Sequence, residues 1–115
     1  MFAPPPVIET APFVDVNATH GIHDRESEWA RLLFGRPNTP SSLESPSFNQ
    51  DGNLWLVDVA WGRLFCVSPA GDVELACEYE GEPNGLAFHW DGYGIIADHY
   101  HGLMRLDPVA GAVEP

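Results

Sequence analysis

Basic side chains are scarce in this chain. Five Lys plus Arg stand against seventeen Asp plus Glu, for a formal net charge of −12. Such a chain repels a phosphate backbone, which argues against a nucleic-acid partner and suits a cation or a neutral ligand better. Solubility alone also accounts for an acidic surface. Cysteine is scarcer still. Cys66 and Cys77 are too few for a disulfide framework. A hairpin turn near Pro69–Asp72 would put them on one side of a sheet as diagonal neighbours rather than opposed, and they read as buried free thiols of a cytoplasmic protein. Long apolar runs are missing too: none approaches the ~20 residues of a membrane span. The opening Met1-Phe2-Ala3-Pro4-Pro5-Pro6 lacks both the basic and the apolar segment of a secretory leader, so no membrane partner is expected and Asn17-Ala18-Thr19 reads as a chance glycosylation pattern. Gly-rich phosphate loops, a Gly-x-Ser-x-Gly elbow and a Cys/His zinc pattern are all absent.

What the chain does have is a repeat. Glu44-Ser45-Pro46-Ser47-Phe48-Asn49-Gln50-Asp51-Gly52 is answered by Asn84-Gly85-Leu86-Ala87-Phe88-His89-Trp90-Asp91-Gly92, at the constant offset 88 − 48 = 91 − 51 = 92 − 52 = 40. Asp98 answers Asp58, Gly102 answers Gly62 and Gly111 answers Gly71 at the same spacing. A period of ~40–45 residues built from short strands and glycine turns is the signature of β-propeller blades. A hydrophobic content of 44% suits a packed core. The expected fold is therefore all-β: about two blades, residues 44–115, with the second blade truncated where its fourth strand begins. A ring takes ~4–8 blades, so the simplest expectation is the N-terminal fragment of a longer protein, with assembly of several copies as the other option.

Residues 1–43 lie outside the repeat and read as an irregular N-terminal extension. Pro4–Pro6 make a stiff lead. Val7–Val16 has the pattern of an edge strand interrupted by Pro12. Asp24–Phe34, with Trp29, Leu32 and Leu33 on one stripe, predicts a short helix, and Gly35–Ser42 a linker. Within the repeat, strands are expected over Pro46–Asn49, Leu54–Asp58, Arg63–Val67 and Val73–Tyr79. The second set runs Leu86–His89, Gly94–Asp98 and Leu103–Leu106. Val73, Leu75 and Cys77 alternate with Glu74, Ala76 and Glu78, as an outer strand with one wet face should.

Glu44 and Asn84 occupy one repeat position, 84 − 44 = 40. In a propeller they would project from adjacent blades toward the axis, a carboxylate and an amide oxygen fit for a hard cation; strand-end capping or bridging between blades is the alternative role. Asp58 and Asp98 recur at the ends of second strands and read as turn caps. His99-Tyr100-His101 precedes the Gly102 turn and reads as solvated or pocket rim rather than a zinc pair. Asn84, Asp98 and His99 are the candidate channel-lining or substrate-binding residues. His20 and His23 are expected to face solvent, and Trp55, Trp61, Phe88 and Trp90 to pack between blades.

Taken together, Glu44-Ser45-Pro46-Ser47-Phe48, Asp51-Gly52-Asn53-Leu54-Trp55-Leu56-Val57-Asp58 and Pro83-Asn84-Gly85-Leu86-Ala87-Phe88 resemble the gluconolactonase / senescence marker protein (regucalcin-like) family over about residues 43–115. The resemblance implies a six-bladed propeller with one divalent metal on its axis, Ca²⁺ first, with Zn²⁺ or Mg²⁺ as other options. It implies hydrolysis of sugar lactones or similar cyclic esters, with Glu44 matching the family's first metal ligand. The remaining ligands, typically two Asn and an Asp, come from later blades in such proteins, and no catalytic base is identified here. Asn84, in a family-like Asn-Gly-Leu stretch, would line the pocket. Ser45 departs from the family's usual Gly, so a φ above zero there would be strained. The expected function is a metal-dependent lactonase, inactive as this fragment alone; the alternative is a non-catalytic propeller module that binds a ligand or protein.

Overall fold

A computed structural model describes residues 1–115 and is mostly β. Two short helices come first, α1 (Val16–His20) and α2 (Glu28–Phe34). Strands β1 (Leu43–Phe48), β2 (Leu54–Asp58), β3 (Arg63–Val67) and β4 (Val73–Glu78) form one antiparallel sheet in sequence order. Strands β5 (Pro83–Phe88), β6 (Gly94–Asp98), β7 (Gly102–Asp107) and β8 (Ala112–Glu114) form a second of the same order. No helix is long and apolar enough to cross a membrane.

The 40-residue offset reaches the hydrogen bonds. The amide of Val59 donates to the Ser42 carbonyl, as that of His99 does to Glu82. The amide of Asn49 donates to Asn53 across the first hairpin, as that of His89 does to Tyr93 across the second. Each hairpin closes on a glycine in the left-handed region, Gly52 (φ 79°) and Gly92 (φ 94°).

The two sheets pack side by side, β1 and β2 against β5. The core lies between them: Trp55, Val57 and Leu64 of the first meet Ile96, Met104 and Leu106 of the second. The Trp55 and Phe88 rings meet edge to face at 5.7 Å. Alternation along β3 turns Phe65 and Val67 to the opposite face, which the N-terminal extension covers. His20 lies edge-on to Phe65 at 5.2 Å, and Phe13 and Val14 reach Gly71.

Several sequence expectations are corrected. Val7–Val16 forms no strand; Pro12 interrupts it, and the Asp15 carboxylate accepts from the amides of Asn17 and Ala18, starting α1 instead. The short helix is Glu28–Phe34, because Ser27 caps it. His20 is half-buried against Phe65 rather than solvent-facing, while His23 is exposed. β4 does not alternate cleanly: a bulge sets Leu64 opposite Cys77 but Phe65 opposite Leu75, leaving Ala76 extra and Leu75 exposed. Both cysteines are free and half-buried, packed beside the core. Trp90 is 81% exposed and packs between no sheets, and Trp61 serves the extension, its Nε1 donating to the Thr39 carbonyl.

Candidate functional site

The starts of β1 and β5 are both irregular, and the irregularity positions the site. In β1 the register shifts between Glu44, opposite Val57, and Ser47, opposite Trp55. Ser45 sits in that bulge at φ 49°, the chain's single non-glycine residue with positive φ. The left-handed region costs an L-residue roughly 1–2 kcal/mol, and strain of this kind gathers at functional places. The strained serine is used: its hydroxyl donates to the backbone carbonyl of Asn84 at 2.6 Å, tying the two sheets together. In β5 the bulged residue is Asn84 itself, between the pairs Pro83–Asp98 and Gly85–Ala97. Glu44 and Asn84 therefore sit on adjacent strands of neighbouring sheets, both exposed. No hydrogen bond or ion pair within the chain engages the Glu44 carboxylate or the Asn84 carboxamide.

Beside Asn84 lies a cavity of about 450 Å³. Trp29, Leu32 and Leu33 of α2 make one wall; Asn84, Ala97, Asp98, His99 and Tyr100 of the second sheet, with Glu82 and Val59, make the other. Ser27 holds the helix in place: its hydroxyl accepts from the Ala30 amide and donates to the Ala60 carbonyl of the β2–β3 turn. Three sequence-predicted site residues, Asn84, Asp98 and His99, thus share one cavity, which Glu44 does not line.

Within that cavity the acids have different tasks. Asp98 is 6% exposed. Its Oδ1 accepts from the amides of Tyr100 and His101, and its Oδ2 from the Tyr79 hydroxyl at 2.8 Å. Burial pushes its pKa up, but the His101 amide, the Tyr79 hydroxyl and the Tyr100 amide outweigh that and hold the carboxyl below its ordinary value. Burial and the same bond to Asp98 push the Tyr79 phenol up. Asp98 is thus a turn cap that fixes the His99 loop, its oxygens already engaged. Tyr100 donates to Glu82 at 2.9 Å, and that bond raises its phenol pKa. His99 and His101 part company: His99 lines the cavity, while the His101 ring reaches the Glu80 carbonyl at 2.6 Å.

Asp58, at the repeat position of Asp98, does another job. It is fully buried, accepts from the Ser42 amide through Oδ1, and pairs through Oδ2 with Nε and Nη2 of Arg63 at 2.9 and 2.6 Å. Burial raises its pKa against the lowering by the Ser42 amide and Arg63. Arg63 continues outward, donating to the carbonyls of His20 and Pro40. Sequence reasoning passed over Arg63, yet a lone Arg opening the apolar run Arg63-Leu64-Phe65-Cys66-Val67, five residues after an Asp, was a signal for a buried pair across a tight turn. It also named the Trp29, Leu32, Leu33 stripe without placing it beside Asn84.

No three or more His, Cys, Asp or Glu side chains converge to hold a metal ion. Glu44 and Asn84 bring at most three side-chain oxygens, against the ~6–8 that Ca²⁺ takes. The pair fits part of a cation's shell and does not complete one. No family model matches this chain, and no curated protein matches it.

Proposed function

We propose that the two sheets are blades of a β-propeller lactonase, and that Glu44 and Asn84 supply two oxygens to a divalent-metal site whose other ligands come from outside this chain. The observation that carries the reading is the equivalence of these two residues. They stand at one repeat position on the first strands of sheets packed side by side, locked by the Ser45–Asn84 bond, with unengaged oxygen atoms. When bound, a hard cation supplies polarisation of an ester carbonyl and stabilisation of the oxyanion.

The chain's own residues do the rest of the work assigned to it. The Asn84 carboxamide nitrogen, its oxygen turned to the cation, and the His99 ring orient a cyclic ester in the cavity by hydrogen bonding. The α2 wall excludes water from one side of that ester. Asp98 does not touch the substrate; it keeps the loop that carries His99 in position. Glu44, as a ligand, stays ionised and is not the base.

The test is metal titration and hydrolysis of a lactone panel by the intact protein and by Glu44→Gln. The substitution keeps the size and removes the charge, so Ca²⁺ affinity and metal-dependent turnover should fall by about ten- to a hundredfold, the scale of a lost contributor to a metal site. Unchanged affinity and turnover in Glu44→Gln would remove Glu44 from the site. The second reading, a propeller module that binds without hydrolysing, is favoured by the apolar α2 wall. Saturable lactone binding with no hydrolysis at any metal concentration would select it.

A further inference from the structure

The cavity beside Asn84 has two unlike sides. One is polar: Asn84, Glu82, His99 and Tyr100. The other is hydrocarbon: Trp29, Leu32 and Leu33 of α2. The leucines are 77% and 63% exposed on a helix of seven residues. The helix is nonetheless pinned. Ser27 ties its start to the Ala60 carbonyl, Ala30 is fully buried, and Gly35 closes its end in the left-handed conformation at φ 64°. A fixed helix that keeps two leucines in the open beside a polar edge is a wall awaiting an apolar ligand surface.

We infer that this cavity takes a lactone bearing an alkyl or aryl substituent, its ring ester against Asn84 and His99 and its hydrocarbon along Trp29, Leu32 and Leu33. The inference rests on the lactonase reading above and narrows its substrate class. A sugar lactone is hydroxylated around its ring and would set hydroxyls against leucine side chains that offer no partner, a penalty an alkyl chain does not meet. About 450 Å³ lies within the range of small-molecule sites. The reaction consumes one water. Its oxygen bonds to the ring carbonyl carbon, the ring C–O bond breaks with its electron pair leaving on oxygen, and that oxygen takes up a proton, giving a substituted hydroxy acid.

The experiment compares δ-decalactone with glucono-δ-lactone on the intact protein, by kcat/KM and by calorimetric binding. Leu32→Gln and Leu33→Gln serve as the variants. Both positions are largely exposed, and Gln is a good helix former, so the melting curve should hold. The expected result is a preference for δ-decalactone of about tenfold or more, the scale of discrimination by hydrocarbon contacts. Each variant should weaken δ-decalactone binding and kcat/KM severalfold. A preference for glucono-δ-lactone, or variants that change neither quantity, overturns the inference while leaving the lactonase reading standing. If no lactone is hydrolysed, the lactonase reading fails instead. Saturable δ-decalactone binding that weakens in Leu32→Gln then keeps the cavity assignment, and no binding ends it.

Discussion

At Ser45 two effects oppose each other on one side chain. The left-handed backbone at φ 49° costs roughly 1–2 kcal/mol relative to a relaxed conformation, while the hydroxyl's bond to the Asn84 carbonyl returns about 1 kcal/mol. Separating them takes two substitutions. Ser45→Ala keeps the strain and deletes the bond, so it should lower stability by about 1 kcal/mol. Ser45→Gly deletes both and should fall within about 1 kcal/mol of the parent. Chemical denaturation of the three proteins measures the order. A Ser45→Ala as stable as the parent would mean that the hydroxyl does not join the sheets. The departure from Gly marked Ser45 as a strained position if φ were positive there, but the partner it acquires lies 39 residues away on another sheet, and local sequence carries no trace of it.

Among the elements, the two sheets were the legible part and the extension was not. Strands β2, β3 and β6 begin and end where the glycine turns and apolar runs put them, because the 40-residue offset fixes register twice over. The bulges in β1 and β4 were invisible, since one extra residue alters packing without altering composition. Residues 7–16 were misread because Val, Ile and Phe next to Pro look alike whether they pair in a sheet or stay exposed outside one. Of the candidate site, Asn84, Asp98 and His99 were identified and do share a cavity, while the helix that walls it was placed only by tertiary contacts. Ser27 ties that helix to the Ala60 carbonyl, and the segments before and after it are held by Arg63, which joins Asp58 to the carbonyls of His20 and Pro40. Arg63→Met should therefore cost about 3–5 kcal/mol, since it leaves the Asp58 carboxylate buried without its partner. Asp58→Asn combined with Arg63→Met should recover a good part of that loss. Limited proteolysis supplies the second measurement: cleavage within residues 13–42 should accelerate in Arg63→Met. A single variant that melts like the parent and resists protease would show that the extension does not depend on the Arg63 bonds.

For the molecule as a whole, pseudo-symmetry makes the two ends unlike. The radius of gyration is 15.8 Å, against roughly 13 Å for a compact domain of this length; the exposed lead of residues 1–13 lies outside the packed part. Only 19 of 115 residues are buried, so the core between the sheets is small and net stability should be modest. The first sheet meets the second with Trp55, Val57 and Leu64. The corresponding face of the second sheet carries Ile95, Ala97 and Leu103, exposed, with Leu103 at 73% and Arg105 beside Ile95. The N-terminal extension covers the far face of the first sheet, so of the two outer sheet faces this one is uncovered. Two copies meeting there would bury it, but each carries a net charge of −12, and like charge opposes the encounter until salt screens it over about 8–10 Å. Static light scattering on this chain should therefore show a mass that rises with concentration and more steeply at high salt. Leu103→Glu should hold the mass at 12.6 kDa at every salt concentration. A parent chain that stays monomeric throughout, or a Leu103→Glu variant that associates as the parent does, would mean that this face does not drive the contact.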